Sequence, residues 1–240
     1  MSNKISYNYS PNFYLNKRKP KDVKYIIIHY TGMRTDKESI EKLTNVKSSV
    51  SCHYYINESG KILVMVPDVY IAWHAGKSKW KKLRSLNKYS IGIEISNPGH
   101  EYGYKRYSKK QLLSLKKILQ FLIKKYQIDL GNILGHSDIS PTRKKDPGEK
   151  FPWKDLSKNK LCLWHTLKPN KLIQLRNKKI SVIKQKLFFK NLSRIGYDTS
   201  NLIKNRKFVI SAFQRRFRPE LISTNIDEES YLISKNLVSF

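Results

Sequence analysis

Apolar positions recur along this chain with two periods. Residues 24–30 and 62–66 are short apolar runs of strand length, and 53–57 predicts a third strand that joins the second run through a turn at 58–61. Residues 89–96 alternate: Ile91, Ile93 and Ile95 share one face, and Gly92, Glu94 and Ser96 share the other. Elsewhere the period is helical. Thr35 and Glu38 have capping-box spacing and open a predicted helix over 36–47. Ser108 with Gln111 opens a longer one, with Leu112, Leu115, Leu119, Leu122 and Tyr126 on one stripe.

Strands interleaved with helices predict an α/β domain with a mixed central β-sheet flanked by helices. The expected division is an N-terminal extension over 1–22 and the α/β domain itself over 23–157, its pattern fading after Phe151-Pro152-Trp153. A Lys/Asn-rich stretch over 158–179 reads as a linker with some local structure. From 180 the pattern is purely helical, with amphipathic segments at 180–189, 208–217 and 228–237 and a turn signal at Ile195-Gly196-Tyr197-Asp198. This predicts a small C-terminal three-helix domain over 180–240.

Composition narrows the class. A length of 240 residues with 39% apolar side chains, 15 Tyr and 9 Phe is enough for a real core. Cys52 and Cys162 are too few and too far apart for a disulfide framework or a thiolate zinc site. No run reaches the ~18 apolar residues of a membrane span. The net charge of +30 raises nucleic acid as a partner. Yet 37 of the 48 basic residues are lysines spread along the whole chain, whereas groove and phosphate readers favour the arginine fork. No nucleic-acid partner is expected; a carboxylate-rich polymer suits the charge better.

The chemistry concentrates in three places. His29 closes the apolar run Tyr25-Ile26-Ile27-Ile28-His29-Tyr30, on the same face as Tyr25 and Ile27, where a lone histidine is more often packed than ligating. His136 and Asp146 lie ten positions apart in a polar segment. Pro147 pushes Asp146 into an extended conformation, which would project Lys144 and Asp146 toward one site. Two imidazoles and a carboxylate make a three-ligand zinc set with a fourth position open to water, the arrangement of a hydrolytic centre. Glu94 either faces solvent on a half-buried strand or is buried, in which case its pKa rises toward the range of a general base. Its small neighbours Gly92 and Ser96 would leave space there for a substrate.

These residues resemble the zinc-dependent N-acetylmuramoyl-L-alanine amidases of the AmpD/AmiD type, related to peptidoglycan recognition proteins. The resemblance spans about residues 23–156. It rests on Ile28-His29-Tyr30-Thr31, Ser51-Cys52-His53-Tyr54, Ala72-Trp73-His74-Ala75-Gly76, Ser90-Ile91-Gly92-Ile93-Glu94, Gly135-His136-Ser137-Asp138-Ile139 and Arg143-Lys144-Lys145-Asp146-Pro147-Gly148. Residues 180–238, with Ile195-Gly196-Tyr197 and Val209–Pro219, look like the peptidoglycan-binding module that AmiD-type enzymes append.

The resemblance implies that His29, His136 and Asp146 hold Zn2+, that Glu94 is the acid/base carboxylate and that Lys144 steadies the oxyanion. It implies a substrate-contact role for His74, Asn97, Tyr30 and Arg143, and a buried structural role for His53, the rival ligand. His100 and His165 receive no function. The implied activity is hydrolysis of the amide between N-acetylmuramic acid, or its anhydro form, and L-alanine of the stem peptide, in cell-wall turnover or recycling. Peptidoglycan or muropeptides are the expected partners. The rival is a non-catalytic peptidoglycan-binding protein, disfavoured because every ligand and catalytic position carries a competent residue. The first residues lack the apolar stretch of a signal peptide. A polymer-binding module nonetheless favours the cell envelope or periplasm, with the cytoplasm as the alternative.

Overall fold

The computed structural model describes residues 6–239. In the first half of the chain it contains strands β1 (Ser6–Tyr7), β2 (Phe13–Tyr14) and β3 (Tyr25–Tyr30), then helix α1 (Asp36–Thr44). β4 (Tyr54–Ile56), β5 (Ile62–Val64), β6 (Ile71–Ala72), β7 (Lys79–Trp80), β8 (Leu83–Arg84) and β9 (Ser90–Ile95) follow. Next come α2 (Lys109–Tyr126), β10 (Ile133–Gly135), α3 (His136–Ile139), α4 (Trp153–Lys158) and α5 (Pro169–Leu175). The chain closes with α6 (Val182–Ile195), α7 (Leu202–Phe217) and α8 (Glu228–Leu237).

Six strands form one mixed sheet in the order β1-β5-β4-β9-β3-β10, antiparallel only between β4 and β5. The alternation in the sequence sorts its two faces. Ile26, Ile28, Ile91, Ile93 and Ile95 point to one side, where Leu115, Ile118, Leu119 and Leu122 of α2 and Trp153 and Leu156 of α4 cover them. The register pairs Ile27 with Gly92 and His29 with Glu94, so both polar residues reach the opposite face side by side.

Local chemistry sets the element ends. Thr35 Oγ1 accepts from Glu38 N–H, as the spacing predicts. α1 stops at Thr44 rather than 47, because Asn45 is extended and its side chain accepts from Lys47 N–H. Ser108 and Gln111 complete the capping box of α2. The turn after β4 needs Gly60, at φ +82°, where a Cβ would lie 2.7 Å from the Lys110 carbonyl oxygen.

Three segments differ from the sequence expectation. The 1–22 extension is built into the fold: β1 adds an edge strand to the sheet, and the buried Arg18 donates to the carbonyls of Asp68 (2.9 Å) and Ser90 (2.6 Å). The 158–179 stretch contains α5, started by Pro169 and tied to the core through buried Leu172. The two helices expected at 180–189 and 208–217 are longer: α6 continues its apolar stripe through buried Leu192 and partly buried Ile195, and α7 begins earlier, with Leu202 packed on the core.

The largest difference is where the C-terminal helices sit. Phe188, Phe189, Leu192, Tyr197, Val209, Ile210, Phe213 and Phe217 share one continuous core with Tyr25, Ile27, Trp80, Leu86, Leu134 and Ile139 from the sheet side. The turn after α6 lies directly on Trp80: Gly196 has φ +138°, its carbonyl accepts from Lys81 N–H, and a Cβ there would be 2.4 Å from the indole. The α6–α8 region therefore covers one face of the sheet, as α2 covers the other.

Candidate metal centre

Three strand ends and one loop deliver polar side chains to a groove of about 380 Å³ on the second face of the sheet. β3 supplies His29, β9 supplies Glu94, and β10 runs directly into the four-residue α3, whose first residue is His136. The loop over 140–148 supplies Lys144 and Asp146, the latter joined to Pro147 by a cis peptide bond. Residues distant in sequence thus meet at the ends of adjacent parallel strands, the usual location of sites in such sheets.

His29 Nδ1 lies 3.0 Å from His136 Nδ1 and 3.0 Å from Asp146 Oδ2, and His136 Nδ1 lies 3.1 Å from the same oxygen. All three residues are buried. Their outward nitrogens are already committed. His136 Nε2 donates to the Ala75 carbonyl at 3.2 Å, which leaves Nδ1 with its lone pair toward the centre. Behind His29 runs a directed chain. His29 Nε2 donates to His74 Nδ1 (3.1 Å), His74 Nε2 donates to Ser90 Oγ (3.3 Å), and Ser90 Oγ–H donates to the Leu86 carbonyl (2.7 Å). This chain fixes the tautomer of both imidazoles.

Electrostatics agree with that assignment. Burial, together with the neighbouring His136, lowers His29 to about 4, so its imidazole is neutral. Burial alone would raise Asp146, but the adjacent His136 and His29 hold it well below the usual carboxylate range. Two imidazoles and one carboxylate converge on one point. Tetrahedral zinc with bonds of ~2.0–2.1 Å spaces its ligands by about 3.3 Å, close to the separations seen. The donor set fits a divalent cation.

Glu94 is 8% exposed, and its Oε2 has no hydrogen-bond partner among the described residues. Burial pushes it up to about 8, with Asp146 adding to the rise and Lys144 and Lys42 opposing it. The solvent-facing alternative for Glu94 is thereby excluded. Lys144, half-buried, lines the same groove.

The four expected substrate contacts separate. Tyr30 and Arg143 line the groove, with Arg143 anchored to the Lys77 carbonyl at 2.9 Å. His74 forms part of the wall, but His29 and Ser90 occupy both its ring nitrogens, so it braces His29 and has no free nitrogen to offer to the groove. Its ring also fills the space expected above Gly92, where a Cβ would come within 2.4 Å of it. Asn97 lies outside the groove lining: its amide spans the Lys105 carbonyl and Gly99 N–H, which shapes a loop. His53 is structural, accepting from Gly92 N–H at 2.9 Å with its other nitrogen against Arg18 and the Tyr70 carbonyl.

Among the groove residues that escaped the sequence reading are His100 and Lys42. His100 bonds Tyr30 Oη (2.8 Å) and Glu149 Oε2 (3.1 Å) and stacks on Tyr104, but as a loop histidine it carries no periodic signal. Lys42 lines the groove from α1, on a helix face indistinguishable in sequence from a solvated one.

Comparison with known proteins agrees. The family model described as N-acetylmuramoyl-L-alanine amidase matches residues 19–149. The chain is 31% identical over 230 residues to N-acetylmuramoyl-L-alanine amidase AmiD of Escherichia coli K12, covering 90% of this chain and 82% of that protein. The structure of E. coli AmiD with anhydro-N-acetylmuramic acid-L-Ala-D-gamma-Glu-L-Lys superposes with a TM-score of 0.80 at 30% identity, over 91% of this chain and 89% of that one. AmpDh3 from Pseudomonas aeruginosa gives a TM-score of 0.80 at 27% identity, over 94% and 96%.

Proposed function

The chain belongs to the N-acetylmuramoyl-L-alanine amidase family, and from that premise we propose that it cleaves the amide between N-acetylmuramic acid, intact or anhydro, and L-alanine of the stem peptide. The observation that carries this is the meeting of His29, His136 and Asp146 in one groove with Glu94 and Lys144. His29, His136 and Asp146 would hold zinc, which when bound supplies a Lewis acid that acidifies water and polarises a carbonyl.

Glu94 takes the proton of the attacking water and delivers it to the departing amine of L-alanine. A buried carboxyl near 8 exchanges a proton readily around neutral pH, which suits both halves of that task. The Lys144 ammonium carries part of the negative charge that develops on the carbonyl oxygen. Arg143, Lys42 and Lys145 place further positive charge along the groove, suited to the carboxylates of a stem peptide. Tyr30, held by His100, forms a wall for the sugar or the peptide.

The test is product analysis with intact sacculi and with soluble anhydro-muropeptides, with and without a chelator. Release of free stem peptide that stops on chelation is expected; no release from either substrate overturns the reading. Glu94→Ala should keep fold and metal while turnover falls by about 10²–10⁴. Near-normal turnover in that variant would remove Glu94 from the reaction.

We assign polymer contact to the exposed lysines of α6 and α7, in keeping with the binding role expected for 180–240 and with action in the cell envelope. Lys186, Lys190, Lys204 and Lys207 are all exposed. Changing the four to glutamate should weaken retention on sacculi several-fold, most at low salt, and leave cleavage of a small muropeptide unaltered. Unchanged retention would sink this assignment.

A further inference from the structure

Asp138 is buried in α3, two residues after His136, and accepts three hydrogen bonds from three separate segments. Gly135 N–H donates to Oδ2 at 2.8 Å, Arg216 Nη1 from α7 donates to the same oxygen at 2.6 Å, and Tyr197 Oη–H donates to Oδ1 at 2.6 Å. Arg216 reaches past the ligand in the other direction too, its Nη2 donating to the Ile133 carbonyl of β10 at 2.9 Å. Its guanidinium lies 4.3 Å from the centroid of Trp153, and all of its neighbours here are buried. One guanidinium therefore grips the chain on both sides of His136.

From this geometry we infer that Arg216 and Tyr197 are positioning residues for the metal centre: through Asp138 they fix the backbone that presents His136. The inference rests on the assignment of His29, His136 and Asp146 as metal ligands. A helix of four residues cannot hold its own orientation, since nucleation costs more than one turn returns. The orientation of α3 must come from outside it, and Asp138 is where that hold is applied. Burying an arginine–carboxylate pair is no efficient way to gain stability, because well-packed apolar residues serve as well or better. What the pair adds is direction: a planar fork with two fixed arms sets both distance and angle.

The neighbouring arginine treats the other ligand segment in parallel. Arg215 Nε lies 3.9 Å from Glu149 Oε2, three residues after Asp146, and that carboxylate also meets His100 behind Tyr30. Adjacent residues of α7 thus address the segments that follow both downstream ligands.

The test uses the full chain, measuring affinity for zinc by chelator competition, the visible spectrum of the cobalt(II)-loaded protein and thermal unfolding without metal. Outer partners of metal ligands typically set affinity by 10–100-fold. Arg216→Met should lower zinc affinity by about tenfold and shift the cobalt bands, and Arg216→Lys, which keeps a positive charge beside Asp138 but loses the two-armed fork, should recover only a small part of the loss. Tyr197→Phe, which retains ring packing against Trp80 and Phe213, should lose a few-fold. Arg176→Gln breaks an ion pair with Glu229 inside the helical region and should lower the unfolding temperature without changing metal affinity.

If Arg216→Met does not fold, Tyr197→Phe and Arg216→Lys decide. Parent affinity and parent cobalt spectra in the folded variants would overturn the inference. So would an equal loss in Arg176→Gln, which would make the effect a general loosening. A parent chain that binds no zinc, or a His136→Ala variant that binds as the parent does, would instead overturn the ligand assignment itself.

Discussion

His136→Ala is expected to give a folded chain that has lost its zinc, with hydrolysis reduced by on the order of 10³-fold or more. The three donor atoms lie within 3.1 Å of one another, and removing one leaves a single imidazole and a carboxylate. Two protein donors do not make a tight zinc site. The Lewis acid contributes several kcal/mol to the transition state, and each 1.36 kcal/mol is a factor of ten in rate. Fold should survive, because His136 is only one contact among many at the start of α3, whose hold is through Asp138. Metal analysis and turnover on a soluble muropeptide provide the check. Full retention of zinc would mean another donor serves in its place. The ring nitrogens of both nearby histidines are already taken up, those of His53 by Gly92, Arg18 and Tyr70 and those of His74 by His29 and Ser90, so such a result would overturn the ligand assignment itself.

Ending the chain near residue 178 should cost the protein its fold, not merely its grip on polymer. The cut removes the partners of Tyr25, Ile27, Trp80, Leu86, Leu134 and Ile139 and opens one face of the central sheet to water. Exposing a large apolar side chain costs about 1.5–3 kcal/mol, so six of them approach ~10 kcal/mol. That is the size of the whole stability of an ordinary domain, ~5–15 kcal/mol. Asp138 would also lose Arg216 and Tyr197, leaving a buried carboxylate with only the Gly135 N–H. The expected outcome is an insoluble or non-cooperatively melting product. A truncated chain that stays soluble and melts within a few degrees of the parent would show that the shared core contributes little. For this reason the polymer-binding role is better probed by surface lysines than by deletion.

Much of the site was legible in the sequence because it is carried by strand alternation and short-range chemistry. The even–odd pattern over 89–96 places Glu94 opposite the isoleucines, and the same pattern puts His29 on the face of Ile27; both hold in the sheet. The capping pairs Thr35/Glu38 and Ser108/Gln111 form as their spacing predicts. What the sequence could not supply is which surfaces meet. Amphipathic α6, α7 and α8 announce an apolar face but not its partner, so a packed layer looks identical to an independent module. Asn97 follows the Glu94 strand yet bonds its own loop, a choice settled by backbone geometry absent from any motif. Net charge misleads locally as well: Arg216 and Arg218 count toward +30, but both are buried against carboxylates.

The shared core also orders events in time. Chains emerge from the ribosome N-terminus first, and contacts between distant segments form slowly because the loop between them must close first. Here the sheet residues beside His29 find much of their cover on α6–α8, and the segment bearing His136 is held by a guanidinium of α7. Until α6–α8 have been made, the apolar face around Trp80 stays open. The hold on the segment that presents His136 is completed only once α7 has been made and packed. A fragment that ends before α7 keeps every residue that lines the groove but lacks the guanidinium that orients the segment bearing His136.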